Sequence, residues 1–288
     1  LIIIFFYISL MIHSHIISRR NFIWGLSCAC CCSIFLPSCA EVEISGRKQI
    51  NILSDDFLYS KTFPAYANFK SKSNLITGTE EYNNIVDIGY NIKDAIGIYY
   101  ANKNEKNPTD NFQWEFILVN DDQTKNAWCM PGGKIAVYSG ILPIAKNNDG
   151  LASIMGHEIA HAVARHSAER ASRAMLMDAG TYAFERLILG TSITGHSRQL
   201  YGQLRQLGLE LPFNRSQESE ADYLGLVFMS LSDYNTQESY LVWERMQKSM
   251  GGSGQAEFFS THPSPKNRIK KLKEWIPQVS KQYPPVKI

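Results

Sequence analysis

Apolar residues return at intervals of three and four along several stretches of this chain, the pattern of helices that bury one face. The first stretch carries Tyr82, Ile85, Val86, Gly89, Ile92 and Ile96, with Thr77 and Glu80 spaced as a capping box at its start. It stops before NKNEKNPTDN, a loop by composition. Two short apolar runs come next, FQWEFILVN at 112–120 and KIAVYSG at 134–140, the second preceded by the turn sequence MPGGK, and a small sheet is expected there. Helical spacing resumes in IMGHEIAHAVARH at 154–166, where Asp149 is placed to cap the helix. Further helices are expected over about 216–230, with Ala221, Leu224, Gly225 and Phe228 as the stripe, and over about 240–248. Ser264 and Pro265 read as the cap and first turn of a last amphipathic helix. The stretch up to Asn74 gives mixed signals, and glycines at 180, 190, 195, 202 and 208 punctuate 170–211 without a clear period. The expectation is an α+β fold, mainly α, with a small β-sheet beside the histidine helix.

Polarity is concentrated where that helix should be building core. His157 and His161, four apart at about 100° per residue, stand one above the other. They flank the stripe of Leu151, Ile154, Met155, Ile159, Ala162 and Val163, and Glu158 falls within its edge. A carboxylate buried there without a partner costs several kcal/mol or turns neutral, unless a cation lies nearby. A metal held by the two imidazoles supplies that charge, and His-Glu-x-x-His is the arrangement of zinc hydrolases. A catalytic zinc takes three protein ligands and leaves the fourth position to water. The metzincin pattern for the third ligand fails, because Ala164 and Ser167 occupy its glycine and histidine positions. His166, nine residues after His157, extrapolates to the far side of the helix and reads as structural. ESEAD at 218–222 offers a carboxylate instead: Glu218 and Asp222 share a face, so one can bind metal while the other hydrogen-bonds a ligating imidazole. Spacing alone does not choose between Glu218 and Glu220.

HEIAHAVARHSAER, ESEADYLG, MPGGKIAVYSG and THPSPKNRI together resemble the M48 family of zinc metallopeptidases in its soluble lipoprotein branch, and the likeness covers most of residues 42–276. The resemblance implies a zincin-like peptidase fold over 75–288, one Zn2+ per chain held by His157, His161 and Glu218, Glu158 as general base, and Asp222 as the acid behind a ligand. His262 and Arg268, both in HPSPKNR, are candidate donors to the tetrahedral intermediate. His262 is alternatively a latch on the open zinc position. AWCMPGGKIAVYSG is expected to offer an edge strand to an extended substrate, with Gly132, Gly133 and Ile135 as the binding residues. Such pairing reads backbone and suits unfolded or misassembled proteins. The rival expectation is a zinc-containing lipoprotein that holds client proteins without cutting them. The helical-repeat partner module that some members append is not expected here.

Composition adds the setting. The chain has 288 residues with Met11 as its first methionine; from there a basic start with Arg19 and Arg20, an apolar run to Leu36 and LPSC at 36–39 read as a signal peptide ending in a lipobox, with Cys39 as the lipidated residue. SRRNFIW resembles a twin-arginine signal. Residues 1–38 are therefore expected as extension and signal and 39–74 as a lead-in segment. Removing 1–38 leaves 288 − 38 = 250 residues with 29 − 2 = 27 basic against 27 acidic side chains, a balance that argues against a nucleic-acid partner. Five of six cysteines lie at or before Cys39, so Cys129 has no disulfide partner in the body and reads as a small buried residue. The expected place is the cell envelope, periplasmic and lipid-anchored, at the outer membrane.

Overall fold

The computed structural model describes residues 39–176, 214–249, 262 and 266–287. The described residues from Glu41 onward belong to one compact unit. The expected signal, the glycine-punctuated stretch beyond residue 176 and the cap at Ser264 and Pro265 lie outside the described residues, as does the Cys39 side chain.

A hairpin of β1 (Cys39–Val42) and β2 (Arg47–Ile50) leads into α1 (Asp55–Lys72). This helix occupies the stretch of mixed pattern. Only Thr62 and Tyr66 are buried along it and Pro64 lies inside it, so it never develops a continuous apolar stripe. After β3 (Leu75–Ile76) comes α2 (Glu80–Lys103), whose buried face runs Ile85, Ile88, Gly89, Ile92, Ala95, Ile96 and Tyr100. Its cap is Thr79, which accepts from the Tyr82 N–H, and not Thr77. At Gly89 the helix lies against the Phe116 ring, so close that a Cβ would come within 2.1 Å of it.

Strands β4 (Glu115–Val119), β5 (Ala127–Met130) and β6 (Lys134–Tyr138) complete a sheet in the order β3-β4-β6-β5. β4 and β6 run parallel, and the other two pairs are antiparallel. β5 is thus an edge strand and β6 an interior one. Pro131, Gly132 and Gly133 join them, both glycines at positive φ of 90° and 80°, where a Cβ is disfavoured. A single helical turn, α3 (Leu142–Ala145), then leads to α4 (Asn148–Val163).

Helix α4 is the axle of the molecule, buried from Gly150 to Val163 on every side, which only a helix packed all round tolerates. Its cap is Asn147, accepting from the Gly150 N–H at 2.8 Å. Asp149, the expected cap, lies in the first turn and accepts from the Asn235 N–H at 2.9 Å instead. Around it pack α2, β5, α5 (Arg215–Leu231) and α6 (Glu238–Ser249), while α7 (Lys266–Gln282) packs on α5 and α6. Asn214 and Gln217 form a reciprocal capping box at the start of α5. The fold is the expected α+β arrangement, mainly helical, with the small sheet beside the histidine helix. No helix among the described residues is long and apolar enough to cross a membrane.

Candidate metal centre

Helices α4 and α5 cross where both carry glycine: a Cβ on Gly156 would lie 3.3 Å from the Gly225 carbonyl oxygen. That approach brings Glu218, two turns before Gly225, over the two histidines of α4. Nε2 of His157 and Nε2 of His161 lie 3.1 Å apart. Glu218 Oε2 is 3.6 Å from His157 Nε2, and its Oε1 is 3.4 Å from His161 Nε2. His262 adds a fourth atom, with Nδ1 at 3.3 Å from His157 Nε2 and 2.8 Å from Glu218 Oε1.

These separations bear on whether a metal fits. Nitrogen and oxygen ligands about 2.0–2.1 Å from a tetrahedral zinc stand about 3.3 Å apart. The observed separations straddle that edge length, all four side chains are buried, and their ligand atoms fall within 4.8 Å of one another. Imidazoles and one carboxylate are also a donor set that zinc takes. The residues therefore fit a zinc ion. Glu220, the other candidate on α5, meets His166 and Arg47 and is not among these atoms.

Behind the ligands stands a charged clamp. Asp222 Oδ1 lies 3.2 Å from His157 Nδ1, one turn on from Glu218 as its spacing suggests. Arg268, on α7, donates to both Asp222 oxygens at 2.6 Å and pairs with Glu218 Oε2 at 2.7 Å, and its guanidinium stacks 3.6 Å from the centre of the Trp243 ring. Expected as a candidate donor to the tetrahedral intermediate, Arg268 faces these two carboxylates in this structure. Burial favours the neutral acids, yet the Arg268 and histidine charges hold Asp222 below and Glu218 well below their ordinary values. Burial and Arg268 both oppose a charge on His157, but Asp222 and Glu218 overcome them and raise it to about 9. Burial and the neighbouring histidines push His161 well down, against the pull of Glu218.

Glu158 is buried with the ligands, and its Oε1 has no hydrogen-bond partner among the described residues; His262 Nε2 stands 3.6 Å from it. Burial, helped by Glu218 and opposed by the histidines and Arg268, raises its carboxyl. Half-buried Cys129 on β5 has its thiol pushed well up, by burial first and then by Glu158, as befits an inert packing residue.

His166 is not where a continuous helix would put it. Helix α4 ends at Val163, Arg165 takes a left-handed φ of 56°, and helix resumes at 166. The break swings His166 back until its Nδ1 is 2.8 Å from His161 Nδ1, while its Nε2 meets Glu220 Oε2 at 2.7 Å. The fully buried imidazole that helical spacing assigns to the far side is thus a partner of a metal-site histidine.

Residues 94–276 match the profile of peptidase family M48. The chain belongs to this family. Among relatives, it is 36% identical over 243 residues to the mitochondrial metalloendopeptidase OMA1 of Schizosaccharomyces pombe, covering 82% of this chain and 66% of that protein. Against the Saccharomyces cerevisiae protein of the same name it is 40% identical over 180 residues, 60% of this chain and 50% of that one. The beta-barrel assembly-enhancing protease of Escherichia coli O157:H7 is 28% identical over 163 residues, 54% of this chain and 33% of that protein. The chain thus spans a third to two thirds of the length of these relatives.

In this M48 chain the stretch expected to offer an edge strand spans β5, the glycine turn and β6. Ile135 lies on β6, paired on both sides and fully buried, and cannot present backbone to a substrate. Gly132 and Gly133 form the tight turn, with Tyr59 and Phe63 of α1 over the first and Phe112 and Trp114 over the second, so they admit packing rings. Among the described residues, the edge of the sheet beside α4 is β5, which carries Trp128 and Cys129. Sequence spacing also misses Arg47 and Glu169, and the pairing of Arg47 with Glu220, since these ion pairs span more than 120 residues and leave no local signal.

Proposed function

We propose that this chain is a zinc-dependent endopeptidase that cuts extended segments of unfolded or misassembled proteins. The observation that carries the reading is Glu158 Oε1, a buried carboxylate oxygen without a hydrogen-bond partner among the described residues, next to a set of ligand atoms at tetrahedral spacing. His157, His161 and Glu218 would hold the zinc. When bound, zinc supplies an acidified water and polarises the substrate carbonyl. Glu158 takes the proton from the attacking water at its open oxygen and returns it to the leaving amine. Asp222 and Arg268 keep His157 and Glu218 oriented, and the edge of β5 is the backbone on which a substrate strand would pair. The family match and the relatives named as metalloendopeptidases support the reaction class.

His262 belongs to the same proposal as a latch. Its Nδ1 lies among the four ligand atoms, so with zinc bound it would take the position left to the attacking water and hold the site in a closed resting state. For the setting we propose the cell envelope with a lipid anchor at Cys39, supported by LPSC at 36–39 and by a relative named for β-barrel assembly. More similar relatives are named as mitochondrial, the alternative compartment. Fractionation of the full chain and of Cys39→Ser decides, since only the envelope reading expects lipid labelling that the substitution abolishes.

The reaction is tested by casein hydrolysis with purified protein, wild type against Glu158→Gln, with metal content measured in both. The expected result is equal zinc and a loss of roughly 10²–10⁴-fold in turnover for the variant. If both hold zinc and neither cuts any unfolded substrate, the client-holding alternative replaces this one.

A further inference from the structure

His157 and His161 both turn Nε2 toward the metal-ligand set, which leaves each Nδ1 facing outward into the fold. On His157 that nitrogen meets a carboxylate clamped by an arginine, Asp222 with Arg268. On His161 the same pairing recurs one residue further out. His161 Nδ1 meets His166 Nδ1 at 2.8 Å, His166 Nε2 meets Glu220 Oε2 at 2.7 Å, and that oxygen receives Arg47 Nε at 2.5 Å. The Ser45 hydroxyl donates to the other Glu220 oxygen. Arg47 in turn forks onto Glu169 at 2.9 and 3.0 Å. His166, Glu169 and Glu220 are buried, and Arg47 is largely covered.

We propose that His166, Glu220 and Arg47 form a positioning relay that holds His161 with its proton on Nδ1 and its Nε2 lone pair turned to the metal-ligand set. The proposal rests on the zinc reading of the site. Hydrogen-bond direction carries it. A carboxylate only accepts hydrogen bonds, and Arg47 and Ser45 already donate to Glu220, so Glu220 can take only a donated N–H from His166 Nε2. A neutral His166 protonated at Nε2 has its lone pair on Nδ1. Two ring nitrogens 2.8 Å apart need one donor and one acceptor, so His161 must be the donor, through Nδ1. An imidazole protonated there carries its lone pair on Nε2, the form that binds metal. Run in the opposite sense, the chain would put the proton on His161 Nε2 and block the ligand position.

The relay starts outside the part of the chain that matches the family profile. Ser45 lies in the turn of the β1–β2 hairpin and Arg47 on β2, whereas the match begins at residue 94. The hairpin therefore supports the tautomer of a ligand more than 110 residues away.

The test uses the full chain. In metal-free wild type, ¹⁵N-histidine NMR should find the His161 proton on Nδ1, although free imidazole side chains prefer Nε2; a proton on Nε2 overturns the proposal without any substitution. Zinc affinity is then measured by competition with a chromophoric chelator for His166→Phe, Glu220→Gln and His166→Asn. The first two should bind zinc roughly 10–100-fold more weakly, the usual cost of losing a partner of a metal-ligating histidine. His166→Asn, whose amide oxygen can stand where Nδ1 stands, should recover most of the loss. At saturating zinc the KM for casein should stay at the wild-type value. If His166→Phe keeps the metal-free melting temperature and binds zinc as wild type does, the relay is wrong while the peptidase reading stands. A wild type that takes up no zinc removes both.

Discussion

Gly225 and His157 meet backbone to backbone: a Cβ on the glycine would lie 3.0 Å from the His157 nitrogen and 3.1 Å from its Cα. The proposed carboxylate and histidine ligands belong to helices that can come this close only without a side chain between them. Gly225→Ala must therefore push α5 off α4. It should destabilise the fold by about 1–3 kcal/mol, the usual cost of overpacking, and weaken zinc binding as Glu218 moves outward. Denaturant titration and chelator competition on the same variant read the two effects. A variant with wild-type affinity would show that Glu218 does not depend on the crossing.

The place of His262 among the four ligand atoms makes a prediction. If that imidazole is a latch, His262→Ala should retain zinc through the other three ligands and raise turnover of casein. A collapse of turnover with zinc retained would make it a donor to the transition state.

Glu169 should set part of the acid limit of stability. Burial opposes its charge, but Arg47, Gln217 and Arg173 hold the folded carboxyl below the ordinary value of 4.5. The unfolded chain then binds more protons, so this stabilisation is complete above about 4.5 and is lost as the pH falls through the folded value. Glu169→Gln should be less stable than wild type at pH 7 and show a shallower decline between pH 5 and 3. Urea denaturation of both proteins across that range, without metal, would expose parallel curves if the pairing contributes nothing.

Zinc itself should act as a stabilising ligand. At free zinc one hundred times its dissociation constant the linkage amounts to about 2.7 kcal/mol. Melting temperature should therefore rise with the logarithm of free zinc in wild type, and the rise should shift to higher zinc in His161→Ala. A melting temperature indifferent to zinc would speak against the site.

Local repetition is what the sequence makes legible. The α2 stripe, the histidine pair and Glu218 with Asp222 on one face depend on helical pitch, and the structure places all of them as that pitch requires. The caps at Thr79 and Asn147 each lie two residues from the expected position, because several Thr, Asp and Asn side chains stand near each boundary and sequence does not say which one faces the free N–H groups. Helix α1 is illegible because its contacts are few and aromatic, Tyr66 and Phe69 against Trp128. Ile135 misleads because apolar alternation does not say which strand ends at the sheet border. The relay through Arg47 joins residues too distant in the chain for any spacing rule.

The two-residue break at Ala164 and Arg165 has a consequence for the evolution of this stretch. Pitch no longer governs the residues beyond it, so the gap between the second histidine and the third is a fixed length with a bend in it. One codon gained or lost there would swing the third ring out of reach while leaving the five-letter motif untouched, and a gene so altered would still pass for an intact peptidase.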